Sequence, residues 1–193
     1  GVAETSFTSI GPSVGRELTR KAITSIVLVS LAIVFFVAYA FRKVSEPVSS
    51  WRYGLIAVGT LLHDAIIPTG LFAILAHLYG VEVDTLFVVA LLTILGLSVS
   101  DTIVVFDRIR ENLKNRAYTS FEETVGRSIG QVYTRSINTS LSTILVLLAL
   151  VFFGPDSTRV FAIMLAAGMI VGTYSSIFLA SPLLVMSERV SKK

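Results

Sequence analysis

Five apolar stretches of about 20 residues or more, separated by short polar connectors, constrain this chain more than any other feature. A helix needs about 20 such residues to cross ~30 Å of hydrocarbon, and within lipid every backbone group has to be paired inside its own segment. The expected fold is therefore all-α, a polytopic membrane protein built as a bundle of five transmembrane helices. The spans fall at about residues 22–41, 53–79, 85–106, 136–153 and 160–186, the fourth being the shortest and most polar. A mean hydropathy of +0.79 and a charged fraction of 15% argue against a soluble core protein.

The connectors set the orientation. Eleven Lys and Arg residues lie on one side of the spans (Arg42, Lys43, Arg52, Arg108, Arg110, Lys114, Arg116, Arg127, Arg189, Lys192, Lys193), and four on the other (Arg16, Arg20, Lys21, Arg159). Basic loops stay in the cytoplasm, so the N-terminus of this chain is expected outside and the C-terminus inside. Residues 1–21 read as an external or interfacial segment with a turn at Gly11-Pro12. Residues 107–134 read as a cytoplasmic amphipathic segment, in which Phe121, Val125 and Ile129 suggest a helix on the membrane surface. The tail is 188–193, and Trp51 and Tyr53 fit an interfacial aromatic belt.

Composition excludes several chemistries. There is no cysteine and there are two histidines, so neither a thiolate site nor a histidine-built metal site is expected. The net charge of +3 is spread over membrane flanks, and no nucleic-acid partner, cofactor or covalent catalysis is expected.

The informative residues are the charged ones inside the spans. In "LLHDAIIPTG", His63 and Asp64 precede Pro68 by about one turn. Proline frees a backbone carbonyl, which suggests a polar pocket near a kink. Asp101 lies six residues before Asp107, roughly 9 Å inside the charged boundary at 1.5 Å per residue. Its face includes Ser98. On the fourth span Arg135, Thr139 and Ser142 form a matching polar stripe, with Asn138 beside it. A carboxylate and a guanidinium leave water together more readily than apart, so Asp101 and Arg135 are expected to pair as a proton-binding site, with Asp64 in support. The alternative is a static structural ion pair. On the fifth span Gly168, Gly172, Ser176 and Ala180 put a small residue at every fourth position, a ridge suited to close helix packing.

Four segments, "GPSVGREL", "HDAIIPTG", "LGLSVSDTIVVFDRIRENL" and "RSINTSLSTIL", resemble the corresponding motifs of SecF in the SecD/SecF family of protein-export membrane proteins, within the resistance-nodulation-division superfamily. The resemblance covers nearly the whole chain. It implies half of a pseudo-symmetric SecD–SecF membrane domain, in a SecF unit or a fused SecD–SecF protein. Asp101 and Arg135, with Asp64, match residues of the proton path. The implied partners are SecD or a fused SecD half, the Sec translocon, exported preproteins and membrane lipid, in a bacterial or archaeal cytoplasmic membrane. The family pattern has an additional helix and a periplasmic domain ahead of "GPSVGREL", so this sequence corresponds to the C-terminal five-helix part.

The leading expectation is a subunit that uses the proton-motive force to promote protein translocation. A proton-coupled exporter of lipids or small molecules and a non-catalytic membrane scaffold are the alternatives. An intramembrane aspartyl protease using Asp64 and Asp101 is disfavoured, since Asp101 is preceded by "SVS" and followed by Thr, without a flanking glycine, and Arg135 would oppose a shared proton.

Overall fold

A computed structural model describes residues 12–40 and 48–191 and shows helices throughout, with no strand among the described residues. The order is α1 (Pro12–Ala40), α2 (Ser50–Tyr79), α3 (Thr85–Lys114), α4 (Phe121–Phe153), α5 (Asp156–Ser175), a π-helical turn (Ser176–Ala180) and α6 (Ser181–Ser191). Five segments are long and apolar enough to cross a membrane, with α5, the π turn and α6 together forming the last.

Local chemistry sets the ends. Gly80 closes α2 at φ 67°, in the left-handed region open to glycine, and its N–H bonds Ala76 O at 3.0 Å. The Asp84 carboxylate caps α3 by accepting from Phe87 N at 2.9 Å. Ser120 does the same for α4 from Glu123 N at 3.1 Å, and Glu122 and Glu123 complement the positive helix start. These caps satisfy N–H groups that no preceding turn can reach.

α5 is the hub, packing on α2, α3 and α4, while α1 lies against α2 and α3. Two apolar cores result. Leu61, Leu95, Val105, Phe106, Val125 and Leu184 belong to one, and Phe72, Ile94, Leu147, Met164 and Met169 to the other. The ridge on the last span lies along α3. A Cβ on Gly168 would overlap the Ile94 side chain, and one on Gly172 would sit 3.2 Å from Ser98 Cβ.

Two expectations need correction. Residues 107–134 do not form a separate surface helix: α3 runs on to Lys114 and α4 starts at Phe121. Phe121 and Val125 are buried in the first core, with Ile129 against it, because α4 is long enough to carry its apolar face beyond the membrane-length window. Tyr53 is 1% exposed, stacked edge-on against Phe106 at 5.3 Å, while Trp51 remains exposed against Phe35. The turn at Gly11, the connector 41–47 and residues 192–193 lie outside the described residues.

Candidate functional site

Between the two apolar cores lies a layer of polar side chains. At 1.5 Å per residue, Asp64, Asp101 and Thr173 stand about 22, 24 and 26 Å from the ends of α2, α3 and α5 at the 80–84 and 154–155 connectors. Three helices thus deliver oxygen atoms to one level. Two of the helices that supply the layer depart from regular α-helical bonding beside it. Pro68 sits inside α2 and removes the N–H that would bond the Asp64 carbonyl. Just past Ser175 the last span widens into its π turn, where Ser181 Oγ donates to Ser176 O at 3.1 Å. Single π turns mark functional positions in α-helices more often than chance.

Asp64 is the centre of one cluster and has no exposed surface. Its Oδ2 accepts from Ser98 Oγ on α3 and from Ser175 Oγ on α5 at 2.6 Å. His63 Nδ1 lies 2.9 Å from Oδ1. Asp101, partly buried, is the centre of the second. Thr173 Oγ1 stands 3.4 Å from its Oδ2 and 2.5 Å from Ser140 Oγ on α4. The two carboxylates are near enough for their charges to act on each other. Hydroxyls suit such a place because each can donate or accept as a neighbour gains or loses a proton.

Arg135 is not in this layer. Among the described residues none pairs with its guanidinium; Asp101 faces Thr173 instead, and Ser98, expected beside Asp101, is bound to Asp64. The reason is helical phase. The inner face of α4 is Ser128, Val132, Ser136, Ser140 and Leu147, and at 100° per residue Arg135, Asn138, Thr139 and Ser142 turn away from it. All four are exposed on the flank of α4. The expected stripe therefore exists but faces out of the chain, at nearly the depth of Asp101, about 27 Å from the end of α4.

Sequence reasoning passed over Ser140, Thr173, Ser175 and the pairing role of His63. A signal for the first was present: Ser128, Ser136 and Ser140 keep the fourfold spacing of small residues that marked the ridge on α5. No group of three or more metal-binding side chains occurs among the described residues.

Membrane-length helices around one buried and one partly buried carboxylate and their hydroxyl partners define a multi-pass membrane protein with a polar layer inside its bundle. The chain belongs to the SecD/SecF family: residues 2–190 match the model described as protein export membrane protein SecD/SecF, C-terminal. It is similar to protein translocase subunit SecF of Thermobaculum terrenum, 53% identical over 96% of this chain and 57% of the relative. The SecF subunit of Anaerolinea thermophila is 43% identical over 94% of this chain and 58% of its own length. The chain thus spans a little over half the length of these curated relatives. A crystal structure of SecDF in a super-membrane-facing form superposes with a TM-score of 0.75 at 36% identity, covering 95% of this chain and 23% of that one.

Proposed function

We propose that this chain is the C-terminal five-helix part of a proton-coupled subunit of the Sec protein-export machinery, and that Asp101 carries the proton, supported by Asp64 and by Arg135. The observation behind this is the meeting of two carboxylates from adjacent helices in a hydroxyl layer between apolar cores. Ionisable groups at membrane depth are costly, and their usual purpose is an ion path. Arg135 and its stripe face outward in this reading because the SecD membrane half covers them, so that the proton site is complete only in the pair.

No covalent reaction is part of this reading. Moving one charge through 100 mV releases about 2.3 kcal/mol, enough when repeated to bias a movement that draws a preprotein across the membrane. The membrane is the cytoplasmic one, with residues 1–21 leading in from outside and 188–193 inside. Cysteines introduced at Ser120 and Asp156 test that orientation: labelling of position 120 from outside intact cells would reverse it.

The central experiment is Asp101→Asn, which keeps size and hydrogen bonding and removes the titrating proton. Insertion and association with SecD should persist, while proton conductance of the reconstituted complex and gradient-dependent export of a reporter fall at least tenfold. Export at the wild-type rate, with unchanged sensitivity to collapse of the gradient, would reduce Asp101 to a structural residue.

A further inference from the structure

His63 is the one titratable side chain of the polar layer that the foregoing reading leaves idle. Its ring bonds Asp64 at 2.9 Å, and 35% of its side chain is exposed where Asp64 has none. The other Asp64 oxygen is taken by the hydroxyls of Ser98 and Ser175. Asp64 itself reaches no surface, and among the described side chains bonded to it the imidazole is the partly exposed titratable one.

Charge limits what this pair can do. A lone carboxylate out of water is heavily penalised. With one proton beyond neutral imidazole and carboxylate, the pair carries no net charge, either as imidazolium and carboxylate or as imidazole and carboxylic acid. Removing that proton leaves a negative charge beside Asp101, where a second negative charge is opposed. The described residues around the pair offer no other compensation. From α3 the titratable neighbour is Asp101, and α5 and the π turn bring the hydroxyls of Thr173, Ser175 and Ser176. Ile23–Ala38 of α1 contains no ionisable residue. On α6, Glu188 and Arg189 adjoin Ser187, which is held by Arg52, about 16 Å along α2 from His63.

We propose that His63 and Asp64 form a proton-sharing dyad, and that His63 is the group through which protons enter and leave the layer containing Asp64 and Asp101. The proton on Nδ1 of the imidazolium passes to Asp64 Oδ1, leaving neutral imidazole and a carboxylic acid; the reverse step restores both. Asp64 and Asp101 then share a limited negative charge, so loading one favours release from the other. This inference rests on the proton-coupled reading above and adds the entry group that reading lacks.

The test uses the complex with SecD reconstituted in vesicles containing a pH-sensitive dye. His63→Gln keeps an amide N–H able to donate to Asp64 but cannot titrate. Proton flux should fall roughly a hundredfold or more, the lower end of the range for a lost acid–base group, and its dependence on pH should flatten. Wild-type flux with a wild-type pH profile in His63→Gln would overturn the dyad. If Asp101→Asn also keeps wild-type flux, the proton-coupled reading falls with it; if Asp101→Asn stops flux and His63→Gln does not, only the dyad falls. A second measurement needs no change at His63. His77 is the only other histidine of this sequence, so in a His77→Gln chain labelled with ¹⁵N-histidine the ring signals, Nδ1 and Nε2, are those of His63 alone. Asp64→Asn should move its Nδ1 resonance, because that nitrogen loses its carboxylate partner, and an unmoved resonance would also overturn the dyad.

Discussion

The last two membrane-length segments treat their surroundings in opposite ways. Of the apolar window in Asp156–Val190, 61% is buried inside the bundle; of that in Phe121–Phe153, only 17% is. α5 turns small residues and hydroxyls inward and becomes the hub, whereas α4 leaves most of its girth outside. Exposed Leu141, Leu145 and Val146 are at home against lipid tails. Arg135 and Asn138 are not, because polar groups facing hydrocarbon lack partners, whereas the Thr139 and Ser142 hydroxyls beside them donate to the Arg135 and Asn138 carbonyls at 2.9 and 2.8 Å. Within this chain, then, one polar cluster is hydrogen-bonded inside the bundle while one polar stripe is exposed on its flank.

The largest expected effect attacks the closed side. Gly168→Leu puts four carbon atoms where even a Cβ overlaps Ile94, beyond the ~1–3 kcal/mol typical of modest overpacking. Thermal unfolding in detergent should show loss of the compact bundle, and Gly168→Ala a milder loss that Ile94→Ala partly relieves. A Gly168→Leu protein that melts like wild type would mean that α5 is no hub.

Next comes Asp64→Ala, which leaves the buried hydroxyls of Ser98 and Ser175 without their shared acceptor. An orphaned buried hydroxyl costs about 1–3 kcal/mol. Ser175 has the Gly172 carbonyl at 3.1 Å as a second acceptor, so the loss should be nearer one such penalty than two. The same melting experiment reads it, and an unchanged midpoint would show that the cluster around Asp64 does not hold the bundle together.

What the sequence could and could not convey divides along the same line. Apolar runs of membrane length and the spacing of Gly168 and Gly172 carry over directly into helices and a packing ridge, because length and side-chain volume are local properties. The partner of Asp101 is not a local property. Which face of α4 turns inward depends on the phase of Val132 and Leu147 against two cores, and a rotation of about 100° decides between Ser136 and Arg135. Charge complementarity favoured Arg135; packing chose the serines, whose small side chains let α4 approach the bundle. His63 was similarly hard to assign, since its role depends on Ser98 and Ser175 occupying the far oxygen of Asp64 from two other helices.

A subtler change probes how packing transmits to the site. Gly172→Ala adds one methyl 3.2 Å from Ser98 Cβ, so Ser98, a donor to Asp64, has to yield slightly. Stability should change by less than about 1 kcal/mol, within the range of tolerated core changes, while the His63 Nδ1 resonance in ¹⁵N-histidine NMR should move. Equal insensitivity of both would separate the ridge from the polar layer.

The smallest effect on the chain itself is expected at the open stripe, and there it is the most informative. Arg135→Met removes an exposed charge that none of the described residues pairs with, so the melting midpoint of the isolated chain should move by no more than surface substitutions generally do, about 0.5 kcal/mol. If SecD covers the stripe, the same substitution deletes a forked donor from a desolvated contact and co-purification with SecD should drop severalfold. Arg135→Lys should retain part of it, since the charge remains and the planar fork is lost. Leu141→Ala, about 120° round α4 from Arg135 and equally exposed to the outside, supplies the control and should leave co-purification unchanged. Loss of thermal stability in Arg135→Met with normal SecD binding would invert the contrast between the two helices, making Arg135 part of this chain's own fold and the outward stripe a feature without a partner.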